Sequence, residues 1–175
     1  LDEAETHDIK DIQYAKALEN LGILYFEMGL DTEAEPLYKR AISIHEKNLD
    51  PNHLDVATPL NNLAELYRIQ ARYTEAELLY KRAISILEKN FGSDYPKVAM
   101  SLNNLALVYA DQARYTEAER LYKRATSITE KTLGPNHSQV ATALNNLALL
   151  YYTQARDTKA EPLYKRALSI TEKTL

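Results

Sequence analysis

One pattern recurs four times along this chain. The dipeptides Leu21-Gly22, Leu63-Ala64, Leu105-Ala106 and Leu147-Ala148 are spaced 42 residues apart, and so are Tyr25, Tyr67, Tyr109 and Tyr151. The same period carries Ala34-Glu35, Ala76-Glu77, Ala118-Glu119 and Ala160-Glu161, and the tetrad Tyr-Lys-Arg-Ala at 38–41, 80–83, 122–125 and 164–167. Segments 102–133 and 144–175 share 25 of 32 positions. Self-similarity of this kind marks a repeat architecture, in which each unit is too small to bury its own apolar face and must stack on a neighbour. A single array over 1–175 is expected, with units at approximately 8–49, 50–91, 92–133 and 134–175.

Each unit reads as two helices. Leu60, Leu63, Ala64 and Tyr67 hold helical spacing in the first, and Ala76, Leu79, Tyr80, Ala83, Ile84 and Leu87 in the second. A short break is expected at Gln70-Ala71-Arg72-Tyr73-Thr74, and a longer one between units at Leu133-Gly134-Pro135-Asn136-His137. Gly134 suits a helix end, and Asn136 or His137 suits the start of the next helix. Pro96 fits the first turn of its helix. Pro59 falls five or six residues into one, where it removes a bond and predicts a bend. Ala64, Ala76 and Ala83 allow close approach, with Tyr67 and Tyr80 filling the space beside them. The fold class is therefore all-α, a solenoid of about eight helices.

Composition excludes several functions. Apolar residues make up 45% and charged residues 26%, which is ordinary globular usage. The absence of cysteine rules out disulfides, thiol catalysis and Cys-based zinc sites. A net charge of −4 argues against nucleic acid or anionic lipid as partner. No apolar run approaches the ~20 residues of a membrane span, and the acidic start LDEAETHDIKD is unlike a signal peptide; a cytoplasmic location is expected. There is no Gly-rich phosphate loop, HExxH or nucleophile elbow. An enzyme is not expected, nor a cofactor. His53 and His137 are equivalent loop residues a full repeat or more apart, and His7 and His45 have no repeating counterpart, so a metal set is not expected either.

The order Leu-x-x-Leu-Ala-x-x-Tyr followed by Ala-x-x-x-Tyr-x-x-Ala resembles the tetratricopeptide repeat. The longer period, with LNNLA, YTEAE, YKRA and LGPNH, is similar to the repeats of kinesin light chains. The resemblance covers essentially the whole chain and implies a right-handed α-α superhelix whose first helices line a concave groove. The first unit departs most, with Glu19-Asn20 in place of Asn-Asn and Met28-Gly29-Leu30 at its turn.

An asparagine ladder is the most informative set of polar residues. Asn20, Asn62, Asn104 and Asn146 each precede the Leu-Gly or Leu-Ala step, and Asn61, Asn103 and Asn145 sit one position earlier. Asn is a mediocre helix former, so its recurrence in mid-helix needs a reason. By the resemblance, the second Asn of each pair faces the groove, where its amide can grip the backbone of an extended peptide. The first Asn is expected to bond a neighbouring helix. The same face carries Lys16, Ile23 and Glu27, then Thr58, Glu65 and Ile69, then Met100, Leu107 and Asp111, then Thr142, Leu149 and Thr153. This mixed surface lacks the dense basic cluster that a C-terminal carboxylate requires, and apolar segments with neutral or mildly basic flanks fit it better than acidic ones.

The Lys-Arg pairs 39–40, 81–82, 123–124 and 165–166 have Glu35, Glu77, Glu119 and Glu161 four residues before each Lys, the favourable order for helical pairs. They read as a self-neutralised surface rather than a polyanion site. No polar capping helix follows the last repeat, and the first residue is Leu1 rather than Met. Continuation of the chain, or packing of its end against another molecule, is therefore expected. The function expected is a protein-protein interaction module, a scaffold or adaptor that holds a peptide or partner helix in the groove. The alternative is a self-assembly module, a homo-oligomer associating through the array ends.

Overall fold

The repeats fold as helix pairs because each carries its own start and stop signals. The computed structural model describes the backbone of residues 3–174 and the side chains of 11–173. Among these residues there are eight helices and no strand: α1 (Glu3–Glu27), α2 (Asp31–Asn48), α3 (Leu54–Ile69), α4 (Tyr73–Phe91), α5 (Pro96–Asp111), α6 (Tyr115–Leu133), α7 (Ser138–Tyr152) and α8 (Asp157–Thr174). The fold is an all-α helical repeat of the solenoid class. The chain divides into two compact units, Leu1–Asn90 and Phe91–Leu175, with the boundary at the end of α4.

The two loop histidines open helices. His53 caps α3 and His137 caps α7, each ring Nδ1 accepting the backbone N–H two residues on, at 3.3 and 3.2 Å. Pro96 occupies the first turn of α5, as expected. Pro59 lies inside α3, buried, and withholds the donor that the Asp55 carbonyl would otherwise receive. The helix nevertheless runs on to Ile69.

The break between the paired helices is the same in every repeat. Ala71, Ala113 and Ala155 adopt positive φ of 57, 58 and 54°, and Gly29 takes 72° at the equivalent place. Around Ala71, the Arg72 N–H bonds the Tyr67 carbonyl at 2.8 Å and the Ala71 N–H bonds the Arg68 carbonyl at 3.0 Å. This six-to-one and five-to-two pair is a Schellman ending. Its usual apolar contact is replaced by a cation on an aromatic face. The guanidinium carbons of Arg72, Arg114 and Arg156 lie 3.6, 4.0 and 4.5 Å from the ring centroids of Tyr67, Tyr109 and Tyr151.

That stacked arginine ties one repeat to the one before it. Glu35 on α2 accepts from Tyr67 Oη and Arg72 Nη1, both at 3.0 Å. In the second unit, Glu119 on α6 accepts from Tyr151 Oη at 2.9 Å and Arg156 Nη1 at 3.0 Å. Each carboxylate also takes its own Lys four residues on, Lys39 or Lys123, at 2.6 Å. Burial pushes the Glu119 carboxyl up, but the donors Lys123, Tyr151 and Arg156 outweigh it and hold the group at about 2. Glu35 is lowered in the same way. Second helices are also joined, by Arg82 to Glu46 and Arg166 to Glu130, each at 2.6 Å.

The core alternates small and large residues. Ala34, Ala76, Ala118, Ala41, Ala83 and Ala125 are buried beside Tyr38, Tyr80 and Tyr122. Gly22 stands where later repeats have Ala, because a methyl there would come within 2.8 Å of the Tyr38 ring.

Two outcomes follow from the turn and the junction. Left-handed backbone costs an alanine ~1–2 kcal/mol, and glycine's added unfolded-state freedom takes back ~0.4–1 kcal/mol. Ala113→Gly should therefore raise stability by about 0.5–1 kcal/mol in urea titration. Glu119 has a depressed carboxyl, so its contribution is present above its ordinary value and lost as pH falls toward about 2. Glu119→Gln should cost roughly 2–3 kcal/mol at pH 7, and the gap from wild type should close between pH 5 and pH 2 in thermal unfolding.

Candidate functional site

The first helix of each pair presents the asparagines, and the structure divides them between the two units. In the first unit Asn20 is exposed on α1 and Asn62 is half-buried on α3. A hollow of about 210 Å³ is lined by Ile23, Phe26, Glu27, Tyr38, Asn62 and Glu65. Thr58 is half-buried and Ile69 is exposed on the same helix, and neither lines this hollow. The Nδ2 of Asn62 is buried without a hydrogen-bond partner.

The second unit holds two hollows on its first helices. One, of about 250 Å³, brings together Met100, Asn103 and Asn104 of α5 with Thr142 and Ala143 of α7 and Thr129 of α6. The other, of about 190 Å³, gathers Leu107 and Asp111 of α5 with Asn146, Leu149 and Thr153. Ten of the thirteen residues expected to form a groove line one of these three hollows; Asn20, Thr58 and Ile69 line none of the three. Met100 and Leu149 are exposed apolar residues at these sites.

Two asparagines behave differently from the ladder expected. Asn146 donates through Nδ2 to Asn103 Oδ1 at 2.9 Å, so its donor already joins α7 to α5. Asn61 donates to the Ala57 carbonyl of its own helix at 2.8 Å rather than to a neighbour. Glu65 is held by Arg68 at 2.8 and 2.9 Å and by the Tyr80 hydroxyl at 2.9 Å. Burial raises its carboxyl, and Arg68 more than offsets this, so the group sits below the usual carboxylate range. It presents a neutralised wall to the hollow. Sequence reasoning missed Phe26, which lies beside the expected stripe of α1, and Tyr38, Tyr122 and Thr129, which come from the second helices. The residue period could show only which positions share one helix face, not which second-helix side chains show through between first helices.

The Lys ladder is paired as expected. Lys39, Lys81, Lys123 and Lys165 each meet the Glu four residues earlier at 2.6 Å. Among the described residues no three His, Asp or Glu side chains cluster as metal ligands, and no helix is long and apolar enough to cross a membrane. His7 lies outside the residues whose side chains are described.

The tetratricopeptide repeat family model matches residues 13–89 and 91–173. The chain belongs to the tetratricopeptide repeat family. No curated protein matches it significantly. Among solved structures, a putative kinesin light chain from Podospora anserina with nearly identical tetratricopeptide-like repeats is 26% identical. The match covers 91% of this chain and 76% of that one, with a TM-score of 0.79. BtubC from P. vanneervenii is 24% identical over 99% of this chain and 75% of its own, with a TM-score of 0.78. A Rap protein complexed with Competence and Sporulation Factor shares the fold at 18% identity and a TM-score of 0.81, with 92% of this chain and 43% of that one covered. Tetratricopeptide repeats make this chain a protein-interaction module.

The first tetratricopeptide unit departs from the others at two places that meet in space. Glu19 replaces the first Asn, and His45 stands where Leu87, Thr129 and Thr171 stand later. His45 Nε2 lies 2.7 Å from Glu19 Oε1, both side chains are buried, and Lys16 also reaches Glu19 at 2.9 Å. The two changes compensate one another. Glu19→Asn or His45→Leu alone should cost about 1–3 kcal/mol by stranding a buried polar partner. The double variant should recover most of the loss, and chemical denaturation of the four proteins closes the cycle.

Proposed function

We propose that this chain captures an extended peptide or a partner helix on the surface of its first helices, in a scaffold or adaptor role. The reading is supported most directly by Asn62. Its buried amide donor has no partner and lies among Ile23, Phe26 and Tyr38. A buried unsatisfied donor costs ~1–3 kcal/mol, and a peptide carbonyl would remove that cost on binding. Asn104, beside the exposed Met100, offers an amide with apolar contact as well, and the exposed Leu149 adds apolar contact next to Thr153. The Rap protein in complex with Competence and Sporulation Factor is consistent with ligand capture on this fold. The polar donors hold the backbone and leave side-chain choice to apolar contacts, which favours neutral or mildly basic segments over acidic ones. Catalysis has no part in this reading.

Asn62 separates stability from binding. Asn62→Leu removes an unpaired donor and a poor helix former, so it should raise stability by about 0.5–1 kcal/mol while weakening ligand capture at least tenfold. Peptide-display selection against the wild type, Asn62→Leu and Asn62→Ala/Asn104→Ala/Asn146→Ala, each checked for helicity by circular dichroism, tests this directly. A motif enriched by the wild type and lost from both folded variants is the expected result. A motif retained by both would place the ligand on another face.

A further inference from the structure

The hollow of about 210 Å³ between α1 and α3 holds two hydrogen-bond donors that the protein itself does not use. Tyr38 of α2 is the one fully buried residue of its lining, at 1% exposure. In the next repeat the matching hydroxyl, on Tyr80, donates to Glu65 fifteen residues earlier, at 2.9 Å. Fifteen residues before Tyr38 stands Ile23, whose side chain accepts nothing. Among the described residues the Tyr38 hydroxyl accordingly has no hydrogen-bond partner, and neither has the buried Nδ2 of Asn62. Ile23 and Phe26 give the hollow apolar walls. Glu65 is already met by Arg68 and Tyr80, and Glu27 stands exposed at the rim.

These groups discriminate between ligand chemistries. An apolar side chain entering here leaves both donors unsatisfied, at ~1–3 kcal/mol each. A cation brings only more donors, and the Asn62 Nδ2 accepts none of them. A carboxylate brings acceptors but faces Glu27. Burial, and then the charges of Glu27 and Glu19, push the Tyr38 hydroxyl up to about 12, so it keeps its proton in surroundings that disfavour a negative group. A primary carboxamide meets every requirement. Its oxygen has two lone pairs, one for Tyr38 and one for Asn62, and its nitrogen has hydrogens to donate to Glu27. Tyr38 belongs to a second helix and is buried behind the first-helix surface, so it is reached by a side chain and not by a main chain lying across α1 and α3.

We propose that this hollow receives the carboxamide of a glutamine or asparagine side chain in the captured segment, with Tyr38 and Asn62 donating to its oxygen and Glu27 accepting from its nitrogen. The proposal rests on the reading of the first-helix surface as the ligand face. At this one hollow it replaces a main-chain carbonyl with a side-chain one.

Two measurements separate the pocket from peptide capture as a whole. In the first, the protein is titrated with the N-acetyl methylamides of glutamine, asparagine, glutamate, lysine and norleucine while NMR follows the Asn62 side-chain amide, assigned by its absence in Asn62→Leu. The glutamine or asparagine probe should shift this resonance saturably, and the other three should not. Tyr38→Phe removes one donor and no internal hydrogen bond, so it should keep wild-type helicity and weaken the carboxamide probe roughly threefold to tenfold. Ile23→Glu supplies the acceptor that Tyr80 already has, and should weaken the probe as well. Equal shifts from all five probes would assign the site to a main-chain carbonyl, preference for lysine or glutamate would assign it to a charged group, and no saturable shift would mean no site. Each of these overturns the proposal. In the second, peptide-display selection by the wild type should enrich a motif with glutamine or asparagine at one position, and Tyr38→Phe should relax that position alone. A motif without such a position would overturn the pocket and leave peptide capture standing. Saturable binding of the carboxamide probe with no motif enriched would uphold the pocket and overturn peptide capture.

Discussion

The junction between repeats rests on one three-residue coupling. A tyrosine in the last turn of a first helix and the arginine five residues later stack on each other, and together they grip a glutamate on the second helix of the preceding repeat. The stack has two effects. It closes the turn of its own helix pair in place of an apolar contact, and it turns the guanidinium toward the neighbouring carboxylate. Local turn geometry and long-range stacking thus depend on the same side chains. A carboxylate with several charge-assisted donors is stabilised far more than an isolated surface pair. This is why Glu119 resists protonation down to about 2.

Packing around that coupling follows from size. Alanines at fixed points let helices approach, and a buried tyrosine on each of α2, α4 and α6 fills the remaining volume. Where the approach is tightest, at Gly22 against Tyr38, even a methyl is excluded. The polar exceptions are local. Glu19 and His45 form a buried pair that the other repeats replace with an asparagine and a leucine or threonine. A departure from the repeat in one helix is thus answered by a departure in the other.

Much of this was legible in the residues. The period of 42 located every helix pair, the loop histidines were read correctly as helix starts, and the Glu-to-Lys spacing correctly marked the Lys-Arg ladder as self-neutralised. The asparagine ladder was only partly legible. A repeating letter suggests a repeating role, yet Asn146 spends its donor on Asn103 while Asn62 keeps an unpaired one. That difference depends on the distance between neighbouring first helices, which no within-helix spacing encodes. The positive-φ alanines were also hidden, because alanine gives no turn signal of its own. The second role of Glu35 and Glu119, as acceptors for the next repeat, could not be seen from the Lys four residues away.

The sameness of these junctions has a consequence for how such a chain can change length. The residues that join α2 to α3 and those that join α6 to α7 are matched position for position. Removing residues 50–133, from the loop after α2 to the end of α6, joins α2 to α7 and brings together halves that already fit. An exchange between these two matched junctions then keeps every coupling, whereas a gain or loss of even one residue within a repeat rotates a helix face by about 100° and breaks its register. Length can therefore change in whole periods at matched junctions, and in no smaller step.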